Sequence, residues 1–313
     1  MEARAARERI APKLDPTPLL KSHALSERLE RPVYIKLESR NPTGAFKVRP
    51  ALNAVLADFE QARAKGIVTS SSGNFAQAVA WAAREYGLSA RIVMMRSASA
   101  YKRRRTEELG AEVVLCDDSY AARWETTYRI ERETGRLLLH PYDALNTIAG
   151  DGTIGLELLE QLPGDFTMLC PVSGGGLLSG IASVLKTERP SCRVYGVQPE
   201  QNPSMQRSLE AGEPTEIVPG RSMADALTVA KPGKLTFELI QATVEGVLLV
   251  SEASIAGAVK HLWETEKLVG EPGGSVGVAA CLDGQSSGDG PLVLILSGGN
   301  LSAKAFGELV LSG

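Results

Sequence analysis

Among the side chains of this 313-residue chain, Lys47 has the most chemistry gathered around it. It ends the stretch Asn41-Pro42-Thr43-Gly44-Ala45-Phe46-Lys47, shortly after a β-branched run at Val33–Glu38. A desolvated lysine amine can act as a base or form a Schiff base with a carbonyl. Three strand exits elsewhere offer it partners. Ser173-Gly174-Gly175-Gly176 follows the apolar run Thr167–Val172 and precedes the helical stretch Leu177–Lys186. Three glycines leave backbone N–H groups uncovered at a helix start, where the dipole end is positive. They carry more chain entropy than a tight turn requires, so the pattern favours a phosphate site. No Gly-Lys-Ser/Thr follows, which excludes a Walker loop. Ser71-Ser72-Gly73-Asn74 stands between the strand-like Ile67–Ser70 and an Ala-rich helical stretch; a helix cap and a ligand site explain it equally well. Ser297-Gly298-Gly299-Asn300 follows the apolar run Val293-Leu294-Ile295-Leu296 and could place one hydroxyl in a crevice, although a plain turn accounts for it taken alone.

Together these segments supply an amine, a phosphate cradle, an Asn able to contact a hydroxyl and a partner for a ring nitrogen. Pyridoxal 5′-phosphate requires those parts.

The elements that must position them alternate. Strand-like runs are expected at Val33–Glu38, Ile67–Ser70, Arg91–Met95, Val113–Cys116, Leu137–His140, Thr167–Val172, Arg193–Gln198, Gly246–Ser251 and Leu292–Ser297. Helices are expected at Ala51–Ala64, Asn74–Tyr86, Ser119–Thr134, Thr153–Gln161, Glu252–Leu268 and Ala303–Leu311. Strands separated by helices imply right-handed crossovers and a mostly parallel α/β sheet, with ligands at the carboxyl ends of the strands. Gly284–Gly290 reads as a surface loop. Gly150-Asp151-Gly152-Thr153-Ile154-Gly155 matches a dinucleotide fingerprint, but the preceding strand ends near His140, too far upstream for a nicotinamide site.

Composition narrows the function classes. Net charge is −3, and the basic cluster Lys102–Arg105 is followed by Glu107 and Glu108, which fits a solvated helix face and gives no reason to expect nucleic acid. The charged N-terminus is not a signal peptide, and no run reaches the roughly 18 apolar residues of a membrane helix. Cys116, Cys170, Cys192 and Cys281 form no Cys-x-x-Cys pair and read as buried free thiols. With three histidines, no metal site is expected. A soluble, cytoplasmic protein is the expectation.

From about Thr17 to Asn300 the chain resembles the serine/threonine dehydratase group of fold-type II pyridoxal-phosphate enzymes, which includes serine racemase. Thr17-Pro18-Leu19, Lys36-Leu37-Glu38, Gly44-Ala45-Phe46-Lys47, Ser71-Ser72-Gly73-Asn74, His140-Pro141, Ile148-Ala149-Gly150, Gly152-Thr153-Ile154, Ser173 to Leu177, Glu271-Pro272 and Ser297 to Asn300 carry the resemblance. It implies a tryptophan-synthase-β-like fold with two three-layer α/β/α domains: a large one of 1–60 plus 145–313 and a small mobile one of 61–144. A homodimer is implied as well. Lys47 would carry the cofactor and act as the base at Cα. Phe46 would pack on the ring, Asn74 would bond its hydroxyl, and Ser297 would face its nitrogen. Ser173, Gly174, Gly175, Gly176 and Leu177 would bind the phosphate, and Glu271 would stand at the cofactor. Ser71, Ser72, Asn74, Phe75 and Tyr142 would hold an amino acid substrate, with Ser72 the serine that delivers a proton in the racemase. The implied reaction is loss of water from a β-hydroxy amino acid, giving a 2-oxo acid and ammonia.

The chain departs from the family's pattern at Ala45, Pro50, Phe75, Ala226 and Ser173. Phe75 and Tyr142 suggest a larger apolar β-substituent, as in phenylserine. Gln198 and Ser204 replace carboxylates that bind a divalent metal in racemase-like members, so no tight magnesium site is expected there. An amino acid racemase and a non-catalytic pyridoxal-phosphate-binding protein are the competing readings. A β-replacement enzyme fits less well, because the Ser173 loop lacks the Thr-rich form.

Overall fold

The computed structural model describes residues 2–285, 288 and 290–311. Its strands are β1 (Leu19–Ser22), β2 (Val33–Leu37), β3 (Ile67–Ser70), β4 (Ala90–Met95), β5 (Glu112–Cys116), β6 (Leu137–Leu139), β7 (Thr167–Pro171), β8 (Arg193–Pro199), β9 (Gly246–Val250) and β10 (Leu292–Leu296). The helices are α1 (Glu2–Ile10), α2 (His23–Arg28), α3 (Val48–Ala57), α4 (Phe59–Lys65), α5 (Asn74–Glu85), α6 (Ala100–Glu108), α7 (Tyr120–Thr134), α8 (Leu145–Gln161), α9 (Gly176–Glu188), α10 (Ser204–Ala211), α11 (Lys234–Thr243), α12 (Glu252–Glu264), α13 (Pro272–Leu282) and α14 (Ala303–Leu311).

Two sheets organise the chain. The larger has the order β1-β2-β10-β7-β8-β9, parallel except for the antiparallel edge strand β1. The smaller, β5-β4-β3-β6, is wholly parallel. Both are covered on two faces, which is why central strands such as β10 are buried along their whole length and show no polar alternation. On the larger sheet, Ile255 and Leu262 of α12 and Val276 of α13 pack on one face, and Ile181 of α9 and Phe237 of α11 on the other. The smaller sheet is covered by α5 on one side and by Ile130 of α7 on the other. Ile10 of α1 and Val48, Leu52 and Val55 of α3 join the α5 cluster, so the larger sheet's connections help to cover the smaller sheet.

Helix α8 starts at Leu145, well before the expected Thr153. Gly150, Gly152 and Gly155 lower helix propensity in sequence, yet each serves a close helix crossing. A Cβ at Gly150 would stand 2.6 Å from Pro50 Cα, and one at Gly152 would stand 3.2 Å from the Gly180 carbonyl. The dinucleotide-like spacing is therefore a packing stripe. The expected helix Ala51–Ala64 is two helices that break at Asp58. Strand β1 and helix α13 give no sequence signal: β1 has four residues, and α13 is buried along nearly its whole length. Part of the expected Gly284–Gly290 loop, at Ser286, Ser287 and Asp289, lies outside the described residues. All four cysteines are free and buried. No helix among the described residues is long and apolar enough to cross a membrane.

A buried ionic quartet joins β2, α3 and α8. Arg49 Nε donates to Glu38 Oε2 at 2.7 Å and its Nη2 to Glu157 Oε2 at 2.9 Å. Lys36 Nζ donates to Glu157, to the Thr17 carbonyl at 2.7 Å and to Gln161 Oε1 at 2.8 Å. Two cations and two anions cancel, and each is hydrogen-bonded, which offsets the desolvation of buried charge. Burial alone would raise Glu38; the Arg49 guanidinium reverses this and holds the carboxyl below the ordinary carboxylate range. Glu157→Gln should leave Arg49 and Lys36 with one anion between them and cost about 3–5 kcal/mol of stability, read by thermal or denaturant unfolding. The stability that Glu38 contributes is present above its unfolded value and should be lost as pH falls through its depressed folded value.

Candidate active site

Four chain segments meet in one cleft of about 980 Å³. The turn after β3 enters α5, the turn after β7 enters α9, the segment after β10 runs beside them, and the approach from β2 to α3 delivers Lys47. All four leave carboxyl ends of parallel strands, where open α/β sheets hold ligands.

Backbone bonds to the end of β10 fix the segment before Lys47. Phe46 N donates to the Ser297 carbonyl at 2.9 Å, and Gly299 N donates to the Gly44 carbonyl at 2.9 Å. Gly44 has φ +71°, and a Cβ there would stand 2.4 Å from Asn300 Oδ1, so glycine is required on both counts. Lys47 Nζ donates to the Pro141 carbonyl at 2.6 Å and lies 4.8 Å from the Phe46 ring centre and 5.5 Å from that of Phe75. Burial among these apolar and carbonyl groups lowers its pKa, which favours the neutral, nucleophilic amine.

The Ser173–Leu177 loop is braced from behind. A Cβ at Gly174 would stand 2.6 Å from the Tyr142 ring, and one at Gly175, where φ is +103°, would stand 2.7 Å from Thr236. Thr236 Oγ1 donates to the Gly174 carbonyl at 2.7 Å, and Ser173 Oγ accepts from Val229 N at 3.2 Å. No side chain caps α9, whose N-cap is Gly175. Its first-turn amides stay available to an anion.

Helix α5 is likewise uncapped by a side chain, with Gly73 at its N-cap. A Cβ on Gly73 would meet nothing within 4 Å, so the space beside the Ser71-Ser72 turn is open to a ligand. Asn74 Nδ2 donates to Glu271 Oε1 at 2.6 Å and its Oδ1 accepts from Asn300 Nδ2 at 3.0 Å. This chain of bonds orients the Asn74 amide. Burial pushes the Glu271 carboxyl up to about 7, opposed by Lys102 and by the bond from Asn74.

The side chains that the sequence assigns to cofactor or substrate line this cleft: Phe46, Lys47, Ser71, Ser72, Asn74, Phe75, Tyr142, Ser173, Leu177, Glu271 and Ser297, together with Gly174, Gly175 and Gly176. Tyr142 lies against Gly174, and its hydroxyl bonds that of Tyr120 at 2.9 Å. His140 is held down to about 4 by burial and is neutral; its Nδ1 accepts from the Asp143 amide at 2.7 Å. Gln198 is occupied locally, since its Oε1 accepts from the amides of Met205 and Gln206 at the start of α10.

Sequence reasoning misses three charged groups. Lys102 reads as part of a solvated cluster, yet it turns into the cleft and pairs with Asp225 at 2.5 Å. Arg123 of α7 reaches Ser72 Oγ at 3.5 Å, with its guanidinium 5.4 Å from the Tyr120 ring centre. Asp151 stands inside the glycine stripe of α8, fully buried. Helical periodicity could have placed Asp151 on the Gly150 face, but nothing local marks Lys102 or Arg123.

Known proteins share this arrangement. A family model described as pyridoxal-phosphate dependent enzyme matches residues 10–298. The L-threonine ammonia-lyase of Thermotoga maritima is 39% identical over 95% of this chain and 74% of its own length. The serine racemase of Oryza sativa subsp. indica is 37% identical over 97% and 91%. Among solved structures, maize serine racemase superposes with a TM-score of 0.93 at 36% identity, covering 97% of this chain and 94% of that one. A threonine deaminase from T.th. gives 0.90 at 40%, covering 96% and 98%. The cleft fits the cofactor on its own terms: a desolvated amine, an uncapped helix start behind glycines that tolerate no Cβ, and open space beside the second turn. The chain belongs to the pyridoxal-phosphate dependent enzymes, in the serine/threonine dehydratase group of fold type II, and is a lyase that works with pyridoxal 5′-phosphate.

Proposed function

We propose that the chain removes water from a β-hydroxy amino acid and releases a 2-oxo acid and ammonia. One observation carries this reading: the desolvated Lys47 amine opens on the same cleft as the Ser-Ser-Gly-Asn turn and the Ser173–Leu177 loop. The names of its relatives support it, among them L-threonine ammonia-lyase.

Ser173, Gly174, Gly175, Gly176 and Leu177 would hold the cofactor phosphate. Phe46, Asn74, Glu271 and Ser297 would meet the ring. When bound, pyridoxal phosphate supplies a conjugated electron sink for the bond broken at Cα. Lys47 Nζ, low in pKa, takes the Cα proton. The Ser71 and Ser72 hydroxyls and the free amides at the start of α5 would hold the substrate carboxylate. Phe75, Tyr120 and Tyr142 line the cleft beside this turn. We assign residues 61–144 to a mobile unit that closes on the bound substrate, the remainder to the cofactor-binding unit, and the active form to a homodimer in the cytoplasm.

Threonine and serine are the reference substrates. Phe75 and Tyr142 support a bulkier apolar β-substituent, as in phenylserine. Arg123 supports a different one: no carboxylate among the described residues pairs with it, its Nε has no partner there, and it reaches Ser72. A second carboxylate, as in 3-hydroxyaspartate, would complete its bonding. Ser72 is the feature behind the alternative reading as an amino acid racemase.

In assays of 2-oxo acid and ammonia release across threonine, serine, phenylserine and 3-hydroxyaspartate, at least one substrate should turn over, and Lys47→Ala should lower kcat by at least about 10²–10⁴-fold with the cofactor still bound. D-amino acid formation without ammonia would establish the racemase instead, and neither product would leave only a binding protein. Arg123→Met should lower kcat/KM for 3-hydroxyaspartate by about tenfold or more while sparing phenylserine. An equal loss on both would assign Arg123 to the α-carboxylate shared by every substrate.

A further inference from the structure

Asn74 lines the cleft, and a carboxamide can face a ligand with either end. One end donates and the other accepts, so its orientation decides which kind of ligand atom it binds. Asn300, which is not among the lining residues, settles that orientation. Its Nδ2 donates to the Thr43 carbonyl at 2.7 Å and to Asn74 Oδ1 at 3.0 Å. A backbone carbonyl only accepts, so the Asn300 atom turned toward Thr43 must be the nitrogen, and both of its hydrogens are then used. The Asn74 atom turned toward Asn300 must accordingly be its oxygen. Asn74 Nδ2 is left on the other edge, where Glu271 Oε1 accepts from it at 2.6 Å. Glu271 lines the cleft and Asn300 does not, so the donor edge of Asn74 is the one on the cleft side. The second hydrogen of Asn74 Nδ2 has no acceptor among the described residues.

Two glycines make room for this relay. A Cβ on Gly44 would collide with Asn300 Oδ1, and one on Gly298 would collide with Glu271 Oε1. Both belong to the contact in which Ala45 bridges to Gly298 and Gly299 N donates to the Gly44 carbonyl at 2.9 Å. Asn74 opens α5, which covers the smaller sheet. Its polarity is set from the segment that carries Lys47 and from the end of β10, both of which leave the larger sheet.

We propose that Asn300 is a positioning residue: it fixes the Asn74 amide so that a donor faces the ring oxygen of the cofactor, which is bound as an acceptor. The inference rests on the reading that Asn74 meets that oxygen. It stands whichever amino acid is turned over. Asn300→Asp keeps the shape but sets acceptors against the Thr43 carbonyl and Asn74 Oδ1. The Asn74 amide then turns over and withdraws its donor from the ring. Asn300→Ala removes the constraint without imposing the opposite one.

The probes are pyridoxine 5′-phosphate, which carries an alcohol in place of the aldehyde and forms no bond to Lys47, and its 3-deoxy counterpart, which lacks the ring oxygen. Their affinities for the full-length chain stripped of cofactor would be compared by calorimetry. Wild type should prefer the first by about tenfold or more. Asn300→Asp should bring that preference down to about twofold or less, and Asn300→Ala should lower it about threefold. A general loosening of the site weakens both ligands alike and cancels in the ratio. If Asn300→Asp does not fold, Asn300→Ala decides alone. A preference undiminished in the deciding variant would overturn the proposal and leave the reading of Asn74 standing. No preference in the wild type would overturn both.

Discussion

The quartet of Lys36, Glu38, Arg49 and Glu157 is the constraint on which the site depends. It ties β2, α3 and α8 at the point where they cross. Lys47 lies two residues before Arg49, so the guanidinium that bridges two carboxylates also anchors the backbone carrying the catalytic amine. On the other side of Lys47, Ala45 bridges to Gly298 at the end of β10. A lysine side chain alone is among the most mobile in proteins. Here its backbone is clamped from both directions within a few residues, and the amine is left to explore only the cleft.

The same crossing accommodates one departure from the family's pattern. Pro50 falls in the first turn of α3, where a missing N–H costs nothing. Its ring backbone is what Gly150 packs against, and no larger residue fits at Gly150. Close approach of α3 and α8 then brings Asp151 of α8 near Lys47 and the Ser173–Leu177 loop at once.

Where sequence patterns fail, the physical cause is specific. The strand exits at Ser71, Ser173 and Ser297 and the lysine after Phe46 can be read because glycine and serine at a strand-to-helix turn have few other uses, and all of them open on the cleft. Strands such as β10 are legible because burial on two faces leaves an unbroken apolar run. By contrast, β1 has only four residues, of which Leu20 and Lys21 are exposed, and α13 has no polar face whose period could be counted. Helix α8 reads too short because its glycines, unfavourable locally, are demanded by partners far away in the chain. Arg123 and Lys102 look like surface charges in sequence, since only the placement of α6 and α7 beside the cleft turns them inward.

A division of labour follows between the two helix starts that open on the cleft. The loop before α9 is braced by Tyr142, Thr236 and Asp151 at each of its glycines, which suits an anion that stays bound. The turn before α5 has open space at Gly73 and hydroxyls at Ser71 and Ser72, which suits an anion that must enter and leave. A rigid cradle binds with little ordering cost, whereas an open turn exchanges its ligand readily. Lys47 lies between them with its amine tied only to a carbonyl oxygen. That single bond is strong enough to orient the amine and weak enough to release it, which a buried ion pair in the same place would not allow.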